Sequence, residues 1–154
     1  MKKMFKRSKL LKLISVAVLL AIASAISFST ISYASTNDEI DYQFVIKTNL
    51  AISRYDDKRL RSTSNNDNAW KVNLEFSDEG SNTATMFSLG LNDYTPASAW
   101  VTKVVGTGTN YYSANDAADW AYVYLQAKDN NNVAATYRIT GYWDEETGRG
   151  PGKE

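Results

Sequence analysis

Apolar and polar residues alternate along much of the chain from residue 42 onward, and the clearest alternation covers residues 69–77. With a two-residue period, one face of a strand there carries four apolar side chains: Trp70, Val72, Leu74 and Phe76. The other face carries the polar residues between them: Lys71, Asn73, Glu75 and Ser77. The pattern predicts a strand whose apolar face lies in the core and whose polar face meets water.

Similar segments, separated by turn-forming residues, predict further strands at residues 42–47, 83–91, 100–105, 111–112, 120–127 and 135–143. Residues 53–68 are mostly polar and predict an exposed loop with at most an irregular edge strand. Residues 113–119 predict one helical turn. Six or seven short strands leave no room for the crossover helices of a parallel sheet. We therefore expect an all-β fold, a small antiparallel β-sandwich preceded by a signal-peptide helix.

The N-terminus has the pattern of an export signal. Its first twelve residues contain six Lys or Arg residues and no acidic residue, and an apolar run follows at residues 13–26. The small residues Ser32 and Ala34 favour cleavage between Ala34 and Ser35. Two alternatives are a cut after Ala25 and an uncleaved anchor, because residues 13–33 approach the ~20 residues that span a bilayer. In each case we expect a secreted or envelope-associated domain.

These segments give a predicted domain organisation. The signal peptide covers residues 1–34, a flexible leader 35–41, the β-sandwich domain 42–143 and a disordered tail 144–154. The tail is predicted from its charged residues and glycines, which are typical of frayed termini. Cysteine is absent, and a mature chain of this length can form a single hydrophobic core without disulfides.

Removal of the signal peptide changes the charge of the chain. Six of the 17 basic residues and none of the 17 acidic residues precede the predicted cut, so the mature chain has 11 positive and 17 negative charges, a net of −6. Nucleic-acid binding requires a basic stripe that neutralises phosphates, and binding to anionic lipid also needs clustered cations. We therefore expect no nucleic-acid partner and membrane contact only through the signal segment. An envelope glycan or protein remains open as a partner.

The residue types exclude most catalytic chemistry. The chain has no His and no Cys, which excludes nucleophiles paired with His, thiolates and the usual zinc, copper or haem ligands. We expect no metal and no cofactor, and we interpret the Asp129 to Asn132 run as a polar turn because it lacks the spacing of a calcium loop. The acidic runs at 56–57, 78–79 and 144–146 are the candidate carboxylate pairs. They are predicted to be solvated, so a two-carboxylate hydrolase is only the alternative to a non-enzymatic protein.

One possible ligand-binding surface is aromatic. Trp120, Tyr122 and Tyr124 alternate with Ala121, Val123 and Leu125, so both faces of this predicted strand are apolar. Core packing under a second layer is the commoner explanation of such a pattern. The alternative is an exposed ladder of rings that stacks on sugars or on an apolar partner.

Four parts of the sequence carry a resemblance to a known family. They are residues 70–74, the Gly-rich turn at 106–108 followed by Tyr111-Tyr112, the Asn-rich turn at 130–132, and Gly-Tyr-Trp-Asp-Glu-Glu-Thr-Gly at 141–148. Across residues 42–148 the chain resembles a family of short exported proteins of Gram-positive bacteria that is catalogued as a domain of unknown function. The resemblance implies a signal peptide and a small β domain. It implies no activity, cofactor or catalytic residue.

Three functions follow as hypotheses. The first is a secreted, non-enzymatic binding or interaction protein of the envelope or medium, with a bacteriocin-like role among those open to it. The second is an envelope-glycan hydrolase, which requires two acidic side chains facing each other in a partly buried cleft. The third is a passive structural or matrix protein, which predicts that all aromatic side chains are buried.

Overall fold

The computed structural model describes residues 38–132 and 134–153, and for Lys153 only the backbone. The predicted signal peptide and its cleavage site lie outside the described residues. Within them no helix is long and apolar enough to cross a membrane. The prediction of an all-β antiparallel sandwich is confirmed, because two antiparallel sheets pack together and the helical content of the described residues is one short 3₁₀ turn, Asp116–Ala118.

In the part of the chain that the structure describes, ten strands form the two sheets. In chain order they are β1 Ile40–Ile46, β2 Ser53–Arg54, β3 Arg59–Leu60, β4 Trp70–Ser77, β5 Ala84–Gly90, β6 Val101–Val104, β7 Asn110–Tyr112, β8 Tyr122–Asp129, β9 Tyr137–Asp144 and β10 Gly152–Lys153. The first sheet has the order β1-β9-β4-β7-β10, and the second has the order β2-β8-β5-β6 with β3 also paired to β8. The seven strands of three or more residues correspond to the predicted strands, whose ends lie within two residues of these bounds.

The core lies between the sheets. On each long strand most inward positions are apolar and buried, as the alternating pattern predicts. The first sheet contributes Tyr42, Ile46, Trp70, Val72, Leu74, Ile139 and Trp143, and the second contributes Phe87, Leu89, Val123, Leu125 and Ala127.

Gly141 allows a close approach at the centre of the first sheet. The Tyr42 hydroxyl crosses above Gly141 and donates a 2.8 Å hydrogen bond to the carbonyl oxygen of Asn73. A Cβ at position 141 would lie 2.0 Å from that carbonyl oxygen and 2.7 Å from the Tyr42 hydroxyl. Only a residue without a side chain fits between them.

The alternation of β4 is interrupted by a β-bulge. The register with β9 shifts between Leu74 and Phe76, so that Phe76 lies opposite Thr140 and Ser77 opposite Ile139. A bulge adds one residue to the strand and therefore exchanges its faces. Phe76 is 43% exposed, and the prediction that it lies in the core with Trp70 is wrong.

The polar face of β4 also differs from its prediction. Lys71 and Asn73 are buried rather than in water, because β4 is an inner strand of the first sheet and its outer face is covered near β7. The side chain of Lys71 lies near the Tyr111 ring and forms an ion pair with Glu39. The alternating pattern of β4 correctly predicts that Trp70, Val72 and Leu74 face the core. It contains no information about whether another part of the chain covers the polar face.

The C-terminal segment is ordered, which contradicts the predicted tail. Residues 144–147 are buried, and Gly152–Lys153 pairs with β7. Thr147 donates from its backbone N and its hydroxyl to the Ala69 carbonyl, at 2.9 and 2.8 Å, and the Gly148 N–H donates to Asn68 Oδ1 at 2.7 Å. These bonds hold the segment against the start of β4.

Two smaller predictions also change. The leader was expected to end at residue 41, but β1 begins at Ile40 and Asp38 and Glu39 form ion pairs. The loop expected at residues 53–68 contributes β2 and β3, both paired with β8. The helical turn expected at residues 113–119 is present, with Asn115 capping it through Oδ1 and the Ala117 N–H.

Candidate functional site

The outer face of the second sheet presents aromatic rings. Along β8 the inward residues are Val123, Leu125 and Ala127, so the outward residues are Tyr122, Tyr124, Gln126 and Lys128. At 3.3–3.4 Å per residue, this row extends for about 20 Å. Tyr122 is exposed and Lys128 partly exposed at the two ends of this row, whereas Tyr124 and Gln126 between them are buried.

Arg54 lies between two of the rings. Its guanidinium carbon is 4.3 Å from the Tyr124 ring centroid and 4.9 Å from the Tyr94 centroid. Its Nη1 donates a 2.9 Å hydrogen bond to the Asn92 carbonyl, the one hydrogen bond of this side chain within the described residues. A guanidinium has five N–H donors in a fixed plane. The two rings therefore hold a flat cation that still has donors to offer.

Two further cations contact rings on this sheet. Lys58 Nζ is 4.6 Å from the Tyr122 centroid, and Lys128 Nζ is 4.3 Å from the Trp100 centroid. We call this set the cation–aromatic face: Arg54, Lys58, Tyr94, Trp100, Tyr122, Tyr124 and Lys128.

Trp120 lies just outside β8 and has an unusual backbone. It is 67% exposed, and its φ of 50° is in the left-handed region. A bulky residue rarely adopts this conformation, which costs free energy. Tyr94 has the same features, with a φ of 67° and 45% exposure. Because both rings are exposed, their burial does not offset this cost in the stability of the fold.

The three aromatic residues singled out in the sequence therefore have different environments. Tyr122 is 53% exposed on the outer face, and Trp120 is exposed before the strand begins. Tyr124 is buried, with the guanidinium of Arg54 over its ring and its hydroxyl 3.4 Å from Asn92 Oδ1. Whether these rings bind a ligand stays a prediction. Sequence reasoning missed Arg54, Lys58 and Tyr94, because they lie in loops or a two-residue strand without a periodic signal.

A second unusual region lies where the C-terminal segment meets the first sheet. Arg59 forms ion pairs with Glu145 and, at 2.5 Å, with Asp38. Arg61 is fully buried and donates to three backbone carbonyls, at 2.7 Å to Glu145, 2.8 Å to Asn65 and 2.6 Å to Asn68. The acidic run at 144–146, predicted to be solvated, is thus enclosed by cations from elsewhere in the chain.

Burial changes the acidity of this run. Burial first, and then the negative charge of Glu145, raise the pKa of Asp144 to about 7, although a hydrogen bond from the Glu146 N–H and the charge of Lys71 oppose the shift. Burial also raises the pKa values of Glu145 and Glu146. One oxygen from each of Asp38, Asp144 and Glu145 lies within 4.8 Å of the others, so these three could hold a metal ion.

An open depression of about 440 Å³ lies elsewhere on the first sheet. It is lined by Asp41, Tyr55, Glu75 and Thr140, among others, and its two carboxylates are exposed. Asp144 is not in its lining. A two-carboxylate hydrolase needs an acid of raised pKa and a second carboxylate in one cleft, and neither Asp144 nor its neighbours Asp38 and Glu145 line this depression.

Fold and sites together define a small two-sheet β-sandwich with an open cation–aromatic face and a buried charged cluster. The chain belongs to the family described as "Protein of unknown function (DUF2712)", whose profile matches residues 30–147. The match includes β1 to β9 and confirms the resemblance to a family of unknown function. Neither a search of curated proteins nor a search of solved structures gave a match.

Proposed function

We propose that the protein is an exported, non-enzymatic binding protein whose cation–aromatic face takes an anionic sugar polymer of the bacterial envelope. The observation that carries this proposal is the position of Arg54 between the rings of Tyr94 and Tyr124, beside the exposed ring of Tyr122. Rings stack on the apolar faces of sugars, and a flat guanidinium pairs with phosphate or carboxylate groups. The face offers both kinds of contact in one row.

The charge distribution supports an anionic ligand. If the signal peptide is removed after Ala34, the mature chain has a net charge of −6. Three cations nevertheless contact rings on one side of one sheet. Arg54 and Lys128 contribute most to attracting an anion. Lys58 contributes less, because it directly follows the exposed carboxylates of Asp56 and Asp57.

The backbone of Trp120 and Tyr94 gives independent support. Both side chains are large, exposed and held at positive φ, which lowers the stability of the fold without apolar burial in return. Strained exposed rings are typical of binding sites, where the ligand rather than the core uses them. The same exposure argues against a passive matrix protein, which predicts buried rings throughout.

The binding test uses the purified protein and sedimentation with envelope material, before and after chemical removal of its anionic polymers. Tyr122→Ser and Arg54→Gln should each lower binding at least ~10-fold, the loss expected when a contact of about 1.4 kcal/mol is removed. The wild-type protein should bind less to the material from which anionic polymers were removed.

Matched controls come from the opposite sheet. Phe76 is 43% exposed and Arg138 lies 5.5 Å from its ring centroid, so Phe76→Ser and Arg138→Gln remove the same chemical groups. These variants should bind like the wild-type protein. Equal losses in both sets, or unchanged binding in Tyr122→Ser and Arg54→Gln, would contradict the proposal.

Export is tested separately. N-terminal sequencing of protein from the culture medium should show Ser35 as the first residue. A protein that keeps Met1, or one retained in the cytosol, would contradict the proposed route.

A further inference from the structure

The buried charged cluster has more carboxylates than cations. Arg59, Arg61 and Lys71 are its three cations, and Lys71 pairs with Glu39. Six carboxylates act on these cations or on one another: Asp38, Glu39, Asp119, Asp144, Glu145 and Glu146. Three of these carboxylates, Asp144, Glu145 and Glu146, are buried, and buried charges are stable only when they are paired or bound to a metal.

Two buried oxygens of the cluster, Asp119 Oδ1 and Asp144 Oδ2, have no hydrogen-bond partner within the described residues. Asp144 is fully buried, and its Oδ2 forms no hydrogen bond within the described part of the chain, whereas its Oδ1 accepts from the Glu146 N–H at 3.2 Å. Buried carboxylate oxygens are rarely left without a hydrogen bond or an ion. This observation is separate from the clustering of acidic residues, and it lies at the residue where three carboxylates converge.

We propose that Asp38, Asp144 and Glu145 bind a calcium ion. Their oxygens lie within 4.8 Å of one another, which fits around an ion with bonds of 2.3–2.6 Å. Calcium takes oxygen ligands alone, and in this cluster the ligands are carboxylates. The inference is independent of the proposed ligand of the cation–aromatic face.

The ion has a route into the cluster. The Asp38 side chain is 53% exposed, and the Arg59 side chain, which bridges Asp38 and Glu145, reaches the surface at 14% exposure. The ion therefore competes with Arg59 for two of its three carboxylates. The bound ion links Asp38, just before β1, to Asp144 and Glu145 at the end of β9. These residues lie at opposite ends of the sandwich domain in the sequence.

The test is thermal unfolding of the purified chain in EDTA and then in increasing CaCl₂, together with calorimetric titration. With a dissociation constant in the ~10⁻⁴–10⁻³ M range of extracellular calcium modules, 10 mM Ca²⁺ should raise Tm by about 4 °C or more. MgCl₂ at the same concentration controls for ionic strength and should raise Tm by less than half as much, because Mg²⁺ needs shorter bonds.

Three variants decide between a specific site and a general effect of charge. Asp144→Asn should abolish the calcium response, and Asp67→Asn, which removes the same charge from an exposed position, should keep it. Arg59→Gln should bind calcium at least ~3-fold more tightly, because it removes the competing cation. No Tm shift in the wild-type protein, an equal shift in Asp144→Asn, or weaker binding in Arg59→Gln would overturn the proposal. If Asp144→Asn does not fold, Glu145→Gln and Arg59→Gln make the same distinction.

Discussion

The two outer faces of the sandwich contrast in what covers them. On the first sheet the charged residues Lys71 and Asp144 are buried, and each lies near charges from distant parts of the chain: Lys71 pairs with Glu39, and Arg59 pairs with Glu145 beside Asp144. On the second sheet, Tyr122 and neighbouring Trp120 are exposed, and single cations lie against the rings. Charged side chains are usually solvated and rings usually buried, but here the first sheet buries charges and the second sheet exposes rings.

This reversal shows that the type of a side chain does not decide its burial once the inward faces are filled. The core takes the alternating apolar residues of both sheets. Outside it, burial depends on which distant segment reaches that face. The C-terminal segment reaches the first sheet through its bonds to Asn68 and Ala69, and no described segment of comparable size covers Tyr122.

The largest expected effect concerns the two faces of β4. Trp70→Ala leaves a cavity in the core and should lower the free energy of unfolding by ~3–5 kcal/mol, enough to unfold a small domain or nearly so. Phe76→Ala removes a ring that the bulge has turned to the surface, and should cost less than ~1 kcal/mol. Chemical denaturation measures both. Equal losses would mean that the bulge does not exchange the faces.

A second pair of changes compares close approaches on each sheet. Gly141→Ala places a Cβ 2.0 Å from a backbone oxygen, and Gly90→Ala places one 1.9 Å from the end of the Gln126 side chain. A backbone cannot move aside as a side chain can, so we expect losses of about 3 kcal/mol and about 1 kcal/mol respectively. Denaturant titrations measure both losses of unfolding free energy. A larger loss for Gly90→Ala than for Gly141→Ala would contradict this prediction.

The third pair compares two arginines. Arg61→Gln leaves buried carbonyls without their donor and should destabilise the chain by about 2 kcal/mol. Arg54→Gln removes a guanidinium from between two rings near the surface and should cost less than ~1 kcal/mol. The Tm of Arg61→Gln should therefore be clearly lower than that of Arg54→Gln. Binding to envelope material should instead be weaker in Arg54→Gln. Equal Tm values would show that the hydrogen bonds of Arg61 to the carbonyls of Glu145, Asn65 and Asn68 do not stabilise the fold.

The smallest expected effect is at Trp120. Trp120→Gly relieves the positive φ and should change stability by less than ~0.5 kcal/mol, since glycine adopts this backbone without strain. Binding to envelope material should fall nevertheless. A marked loss of stability would show that the ring packs in the fold, and would remove Trp120 from the proposed site.

The positions of the strands could be predicted because alternation is a local signal: Trp70, Val72 and Leu74 need no partner to reveal a buried face. The burial of Lys71 and Asp144 could not, because the segments that cover them come from distant parts of the chain. Phe76 was misplaced because one bulged residue reverses the alternation without changing the sequence pattern. The short strands β2 and β3 hold two residues each, too few for any period to show, so Arg54 could not be placed beside Tyr124.

The pairing of β1 with β9 determines how distant in sequence the contacts of the first sheet are. Ile40 lies opposite Trp143, so the first strand gains its neighbour from the ninth. Contacts so distant in sequence form slowly, because the long intervening chain must first be closed into a loop. This topology therefore predicts slow folding, whichever pairs of strands form first.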